Sequence, residues 1–163
     1  MPYTMKTDGL EDVEKLLTTL GDKAGAVASA GLYEGAGVMA DEIQRQVNAI
    51  RTEEFRYTVF GQRSPSPEEK AALQSVGAGI AKFDKNGGEV DTSVGFSNAG
   101  YAEVNGKRKP IPQIANAINS GTSFMKAQPF FRKAVHSGQR KAVEAIGRGI
   151  EDKVEALIKE NGG

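Results

Sequence analysis

The groups that could do chemistry in this chain are few. His136 is the only histidine among 163 residues. A general base or metal ligand needs a partner to orient it, and no acid stands three or four residues beyond His136; it reads as a partly exposed helical residue. There is no cysteine, which excludes disulfides, thiol nucleophiles and thiolate-ligated metals. A serine nucleophile needs a base and an oxyanion site, and no Gly-x-Ser-x-Gly elbow occurs. Paired carboxylates stand at Glu11/Asp12, Glu53/Glu54 and Glu68/Glu69. Neighbours on a helix point apart, so these pairs read as solvated faces rather than acid–base couples. No His-Glu-x-x-His pattern or Asp-rich calcium loop is present, and no metal or cofactor is expected. Gly35-Ala-Gly-Val-Met-Ala40 matches a dinucleotide fingerprint by the letter. Its flanks read as helix rather than strand, so its small residues read as a packing face.

One basic cluster remains, Lys107-Arg108-Lys109. It could contact phosphate, yet aromatics are not interleaved with it. Lys+Arg and Asp+Glu each count 21, so the formal net charge is zero. A neutral chain does not coat DNA or anionic lipid by bulk electrostatics, and does little to oppose self-association. Nucleic acid is therefore not the expected partner. No apolar run approaches the ~18 residues of a membrane span, and the polar start Met1–Gly9 does not read as a signal, so a soluble protein made inside the cell is expected. Aromatics make up only 7% of residues and tryptophan is absent, so the core must rest on aliphatic and alanine packing.

Around these groups the elements are legible. Leu10, Val13, Leu16, Leu17 and Leu20 share a helical face, with Asp8 as N-cap and Gly21 as terminator. A second helix is expected over about 22–50, carrying Val38, Met39, Ile43, Val47 and Ile50. Gly25, Gly31, Gly35 and Gly37 weaken its first half or else allow close helix packing. Ser64-Pro-Ser-Pro67 is a breaker, giving a flexible loop over about 61–67 and a second candidate partner contact. Pro67 then suits the first position of a short helix. Gly79–Asp84 and Glu89–Phe96, joined by Lys85-Asn-Gly-Gly88, predict a β-hairpin. Its second strand alternates through Val90, Thr92, Val94 and Phe96, whereas the first leaves the register open. Residues 97–110 read as turn-rich and 111–119 as a short helix with Ile114, Ala117 and Ile118. A long helix over about 129–159 is expected to bury Phe131, Val135, Ala142, Ile146, Ile150, Val154, Leu157 and Ile158. The fold class is α+β: long helices on a small antiparallel sheet, one domain over 1–163, closing on a long C-terminal helix.

Between the last two helices runs Gly121-Thr-Ser-Phe-Met-Lys-Ala-Gln-Pro-Phe-Phe-Arg-Lys-Ala134. Pro129 suits a helix start and pushes Gln128 toward an extended conformation, while Gly121 permits a sharp departure from the preceding helix. The stretch therefore reads as an extended arm over 119–130. On a helix Phe130 and Phe131 point apart, so one can anchor the core while the other faces a neighbour.

This stretch resembles the minor tail or tail-completion proteins of long-tailed bacteriophages and prophages, which lie at the head–tail junction. The family pattern is an acid and an aromatic, Gly-Thr, then Met-Pro-Ala-Gln-Pro-Phe-x-Arg-Pro-Ala. Gly121, Thr122, Ser123, Met125, Ala127, Gln128, Pro129, Phe130, Arg132 and Ala134 match it; Asn119-Ser120, Lys126 and Lys133 depart from it. The order of elements along most of the chain is similar too. The resemblance implies a non-enzymatic structural protein of the virion neck, assembled in the bacterial cytoplasm. Its implied partners are the tail terminator, tail tube and head connector, and its implied assembled form is a homo-oligomeric ring. The tail-terminator and head-closure stations are neighbouring readings. Gly121, Thr122, Phe124, Met125, Gln128, Pro129, Phe130 and Arg132 become the candidate interface, with Phe124, Met125 and Phe130 laid across a neighbouring subunit. The alternative of a different class is a small nucleic-acid-binding or regulatory domain using Lys107, Arg108 and Lys109.

Overall fold

The computed structural model describes residues 18, 21–53, 61–81, 83–86 and 89–162. In chain order the elements are α1 (Ala24–Asn48), α2 (Pro67–Val76), β1 (Gly79–Ile80), β2 (Asp84–Asn86), β3 (Glu89–Asp91), β4 (Val94–Gly95), β5 (Tyr101–Val104), β6 (Lys107–Pro110), α3 (Ile111–Ser120) and α4 (Phe130–Gly162). The architecture is α+β, helix-dominated, with antiparallel two-stranded ladders beside the helices. The expected helix over Leu10–Leu20 and the Glu11/Asp12 pair lie outside the described residues.

Helices α1 and α4 pack antiparallel, and small residues decide how closely. A Cβ on Gly31 would lie 2.7 Å from Ile150 Cγ1, and one on Gly149 would lie 3.0 Å from Gly31 Cα. One on Gly35 would collide with the Ile146 side chain, and one on Gly138 would sit 2.9 Å from Glu42 Cγ. Gly31 and Gly35 thus cost helix propensity and return a close interhelical contact. The buried stripe of α4 differs from the expected one at both ends. Val135 and Ile158 are exposed. Ala142 and Leu157 are buried and Phe131, Ile146, Ile150 and Val154 half-buried as expected, with Phe130, Ala134, Gly138 and Ala145 buried in addition. The added positions are mostly small, because a close crossing selects for small side chains beside Ile146 and Ile150.

The second half of α1 enters the main core, where Ile43, Val47 and Ile50 meet Leu73 of α2, Val104 of β5 and Ile118 of α3. Helix α2 starts with Pro67 at its first position behind a complete Ser66–Glu69 capping box. The stretch over 61–67 carries the fully buried Pro65 and so contributes to the core.

The expected hairpin forms in two pieces. Ile80 pairs with Val94, whereas Asp84 pairs with Asp91, so the register steps by one residue between them, as a bulge does. That step accounts for the poor alternation of the first arm. The turn over 87–88 lies outside the described residues. A further hairpin occupies the segment expected only to be turn-rich: β5 pairs with β6 across Asn105-Gly106, with φ 53° and 70°. Both values suit the tight turn that Asn-Gly favours.

Candidate functional site: the 119–130 arm

The arm is a built structure, held mostly by polar bonds. Gly121 leaves α3 with φ 76°, and a Cβ there would lie 3.0 Å from Ala127 Cβ and from the Met125 carbonyl oxygen. Thr122 then closes a tight turn. Its N–H donates to the Met125 carbonyl (2.9 Å), and its hydroxyl accepts from the N–H groups of Phe124 (3.2 Å) and Met125 (3.0 Å). The outer side of the turn pairs with the 61–67 stretch. The Arg63 N–H donates to the Phe124 carbonyl (2.7 Å), and the Lys126 N–H donates to the Arg63 carbonyl (3.1 Å).

Gln128 clamps the arm to the end of α1. Its Oε1 accepts from the Arg51 N–H (2.9 Å) and its Nε2 donates to the Arg51 carbonyl (2.8 Å). Its own N–H donates to the Ile118 carbonyl (2.7 Å). Pro129 accepts from the Lys133 N–H, and Asn119 Oδ1 caps the free Phe131 N–H at 3.1 Å. Asn119 thus supplies the cap from across the arm, a use its sequence position did not suggest.

This construction separates the candidate interface residues. Met125 and Phe130 are 3% and 2% exposed, inside this chain's own core. That corrects the expectation that they lie across a neighbour. Consecutive residues of an extended segment face opposite ways; with Met125 inward, Phe124 emerges at the tip, 71% exposed. Phe130 and Phe131 stack at 4.6 Å between centroids and both meet Phe96 edge-on, at 6.3 and 6.1 Å. Both phenylalanines therefore belong to the anchor, Phe131 being partly buried. Arg132 is exposed on the first turn of α4.

Beneath the arm lies an ion pair that the sequence reading missed. Glu69, expected to be solvated, is 3% exposed. Both its oxygens accept from Arg63, at 2.7 and 2.8 Å, and Oε2 also accepts from the Ser66 N–H at 2.9 Å. Burial pushes the Glu69 carboxyl up, but the Arg63 and Ser66 hydrogen bonds and the Arg63 charge outweigh it, leaving it below the ordinary value. Of its pair, Glu68 accepts from the Asn105 N–H at 2.6 Å. The one available signal was Ser66-x-x-Glu69, a capping box by spacing.

The basic triplet is not one surface. On strand β6 successive side chains alternate, and Arg108 lies over the Tyr101 ring at 4.4 Å while Lys109 stands near enough to Glu69 to act on its charge. Gly35 and Gly37 lie inside α1, away from any strand–turn–helix unit. His136 is exposed on α4. Among the described residues, no three His, Cys, Asp or Glu gather to hold a metal ion. A groove between α2 and the β1–β4 ladder, lined by Val76, Ile80, Ser93, Ser97 and Asn98, offers hydroxyls and an amide but no titratable side chain. No described helix is long and apolar enough to cross a membrane. What the arm can do chemically is present one apolar side chain on a fixed support. No family model, curated protein or solved structure matches the chain.

Proposed function

We propose that this is a non-enzymatic structural protein of a phage neck, completing the tail or joining it to the head connector, with the arm as its contact. The observation that carries the reading is the exposure of Phe124 at the tip of a turn held by Thr122, Gly121 and Arg63. An isolated exposed apolar residue is ordinary. Here, however, the backbone on both sides of it is hydrogen-bonded before any partner arrives, so docking costs little ordering entropy. Fully burying Phe124 in a partner pocket is worth about 1.5–3 kcal/mol per contact. A ring repeats that contact at every subunit, through heterologous interfaces that close. The resemblance of residues 121–134 to tail-completion proteins supplies the partner class: tail terminator, tail tube or head connector.

The test is a phage or prophage carrying Phe124→Asp, with lysates viewed by electron microscopy. Filled heads beside unattached or misterminated tails are expected, while the purified variant keeps the wild-type thermal midpoint. Normal infectious particles would overturn the reading.

A further inference from the structure

Charge along α4 runs against the helix's own dipole. Its first fourteen residues, 130–143, carry Arg132, Lys133, Arg140 and Lys141 and no acid. The remainder carries five acids, Glu144, Glu151, Asp152, Glu155 and Glu160, against three bases. A helix is stabilised by acids near its N-terminus and bases near its C-terminus, so this order works against the isolated helix. Intramolecular ion pairs use little of it. Among the described residues, α4 shows only the exposed Arg140–Glu144 bridge at 3.5 Å and Lys23–Glu160 at 3.8 Å.

The face of α4 turned away from α1 has a second property. Val143 is 61% exposed, Ile158 is exposed on a later turn, and nothing lies within 4 Å of a Cβ placed on Gly147. At helical spacing Arg132, His136, Val143, Gly147, Glu151 and Ile158 form one stripe, basic at one end and acidic toward the other. The element that complements such a stripe is the same stripe reversed.

The geometry points to an antiparallel, two-fold contact between the exposed α4 faces of two copies of this chain. In that register Val143 of one copy meets Gly147 of the other. Arg140 stands beside Glu151, while Arg132 and Glu155 lie on the flanks of the contact and add to its charge complementarity. Every contact occurs twice, as an isologous interface requires. The zero net charge of the chain leaves little long-range repulsion to resist the pairing. This contact uses none of the 119–130 arm and shares only Arg132 with the neck reading, so Arg140→Glu and Glu151→Arg test it separately.

The experiment is sedimentation equilibrium of the nuclease-treated protein at about 50 mM and about 500 mM salt, spanning weak to strong screening. A dimer that weakens at high salt is expected. Arg132→Glu/Arg140→Glu and Glu151→Arg/Glu155→Arg should each raise the dissociation constant by about tenfold or more, since pairs turn from attractive to repulsive. The variant carrying all four reversals should dimerise again, which a purely structural role for these residues would not give. Folding is controlled independently, because Arg132→Glu near the helix start should leave the thermal midpoint equal or higher. A monomer at low salt, a dimer insensitive to both double reversals, or association only before nuclease treatment would each overturn the proposal.

Discussion

The two ends of the α1–α4 pair are held by opposite means. Where α4 begins, the arm and the 61–67 stretch are fixed by directional polar bonds: Gln128 on Arg51, Thr122 across its turn, and Glu69 on Arg63. Farther along, the two helices are fixed by shape, with Gly31, Gly35, Gly138 and Gly149 admitting the opposite helix. Polar clamps specify one backbone path for a segment with few apolar residues of its own. Close packing needs only that nothing protrude, so its energy is spread thinly over many contacts. The first device suits a contact loop that must be ready-formed; the second suits a scaffold.

The largest effect should come from cutting a clamp. Glu69→Ala removes the carboxylate that takes two hydrogen bonds from the three-quarters covered Arg63, and with it half of the capping box. A loss of about 3 kcal/mol is expected, at the low end for a broken buried pair because Arg63 keeps some access to water. A lower denaturant midpoint at unchanged slope would measure it. If the loss proved below about 0.5 kcal/mol, the size of an ordinary surface change, the arm end would not depend on this clamp.

The packed region is tested by two glycines two residues apart, on opposite sides of α1. Gly35→Ala should destabilise by about 1–3 kcal/mol, since its Cβ meets Ile146. Gly37→Ala meets nothing within 4 Å and should stabilise by up to about 1 kcal/mol through helix propensity. Equal effects at the two positions would break the distinction between shape and propensity.

The last effect concerns Glu42, a charged group of α1 that is hydrogen-bonded by α4. It accepts from Arg45 (2.6 Å), from the Ser137 hydroxyl of α4 (2.5 Å) and from Gln46 (3.1 Å). The Arg45 hydrogen bond first, then Ser137's, hold its carboxyl down from 4.5 to about 2 against the cost of burial. A depressed folded-state value means stability fully present above about pH 4.5 and lost as pH falls toward 2. Thermal midpoints of Glu42→Gln should therefore fall less steeply over that window than those of the wild type. Parallel curves would show that Glu42 contributes nothing to the acid response.

Much of the fold is legible because local rules and tertiary structure agree. Helices α1, α2, α3 and α4 stand within a few residues of their expected spans, since Pro67, Gly121 and Pro129 act through backbone geometry that needs no partner. The β5–β6 hairpin was legible and overlooked: Asn105-Gly106 was as strong a turn signal as Asn86-Gly87. The arm was identified as a segment, but not which of its residues face out. Met125 and Phe124 are chemically alike and adjacent, and only the Arg63 pairing sets which one turns inward.

The sequence by itself determined the helices, the breaks between them, the hairpin at 79–96 and the scarcity of groups able to do chemistry. These follow from propensity, periodicity and residue type, all of which act over a few residues. Only the tertiary structure decided that Glu69 is buried, that Gly31 and Gly35 seat Ile150 and Ile146 in the α1–α4 contact, and that Phe124 alone of the arm's large apolar residues is exposed. The last two depend on neighbours distant in sequence, Ile146 against Gly35 and Arg63 beside Phe124, whereas Glu69 is covered with a partner six residues away. A side chain's burial belongs to the surface it meets, and that surface exists only once the chain has folded.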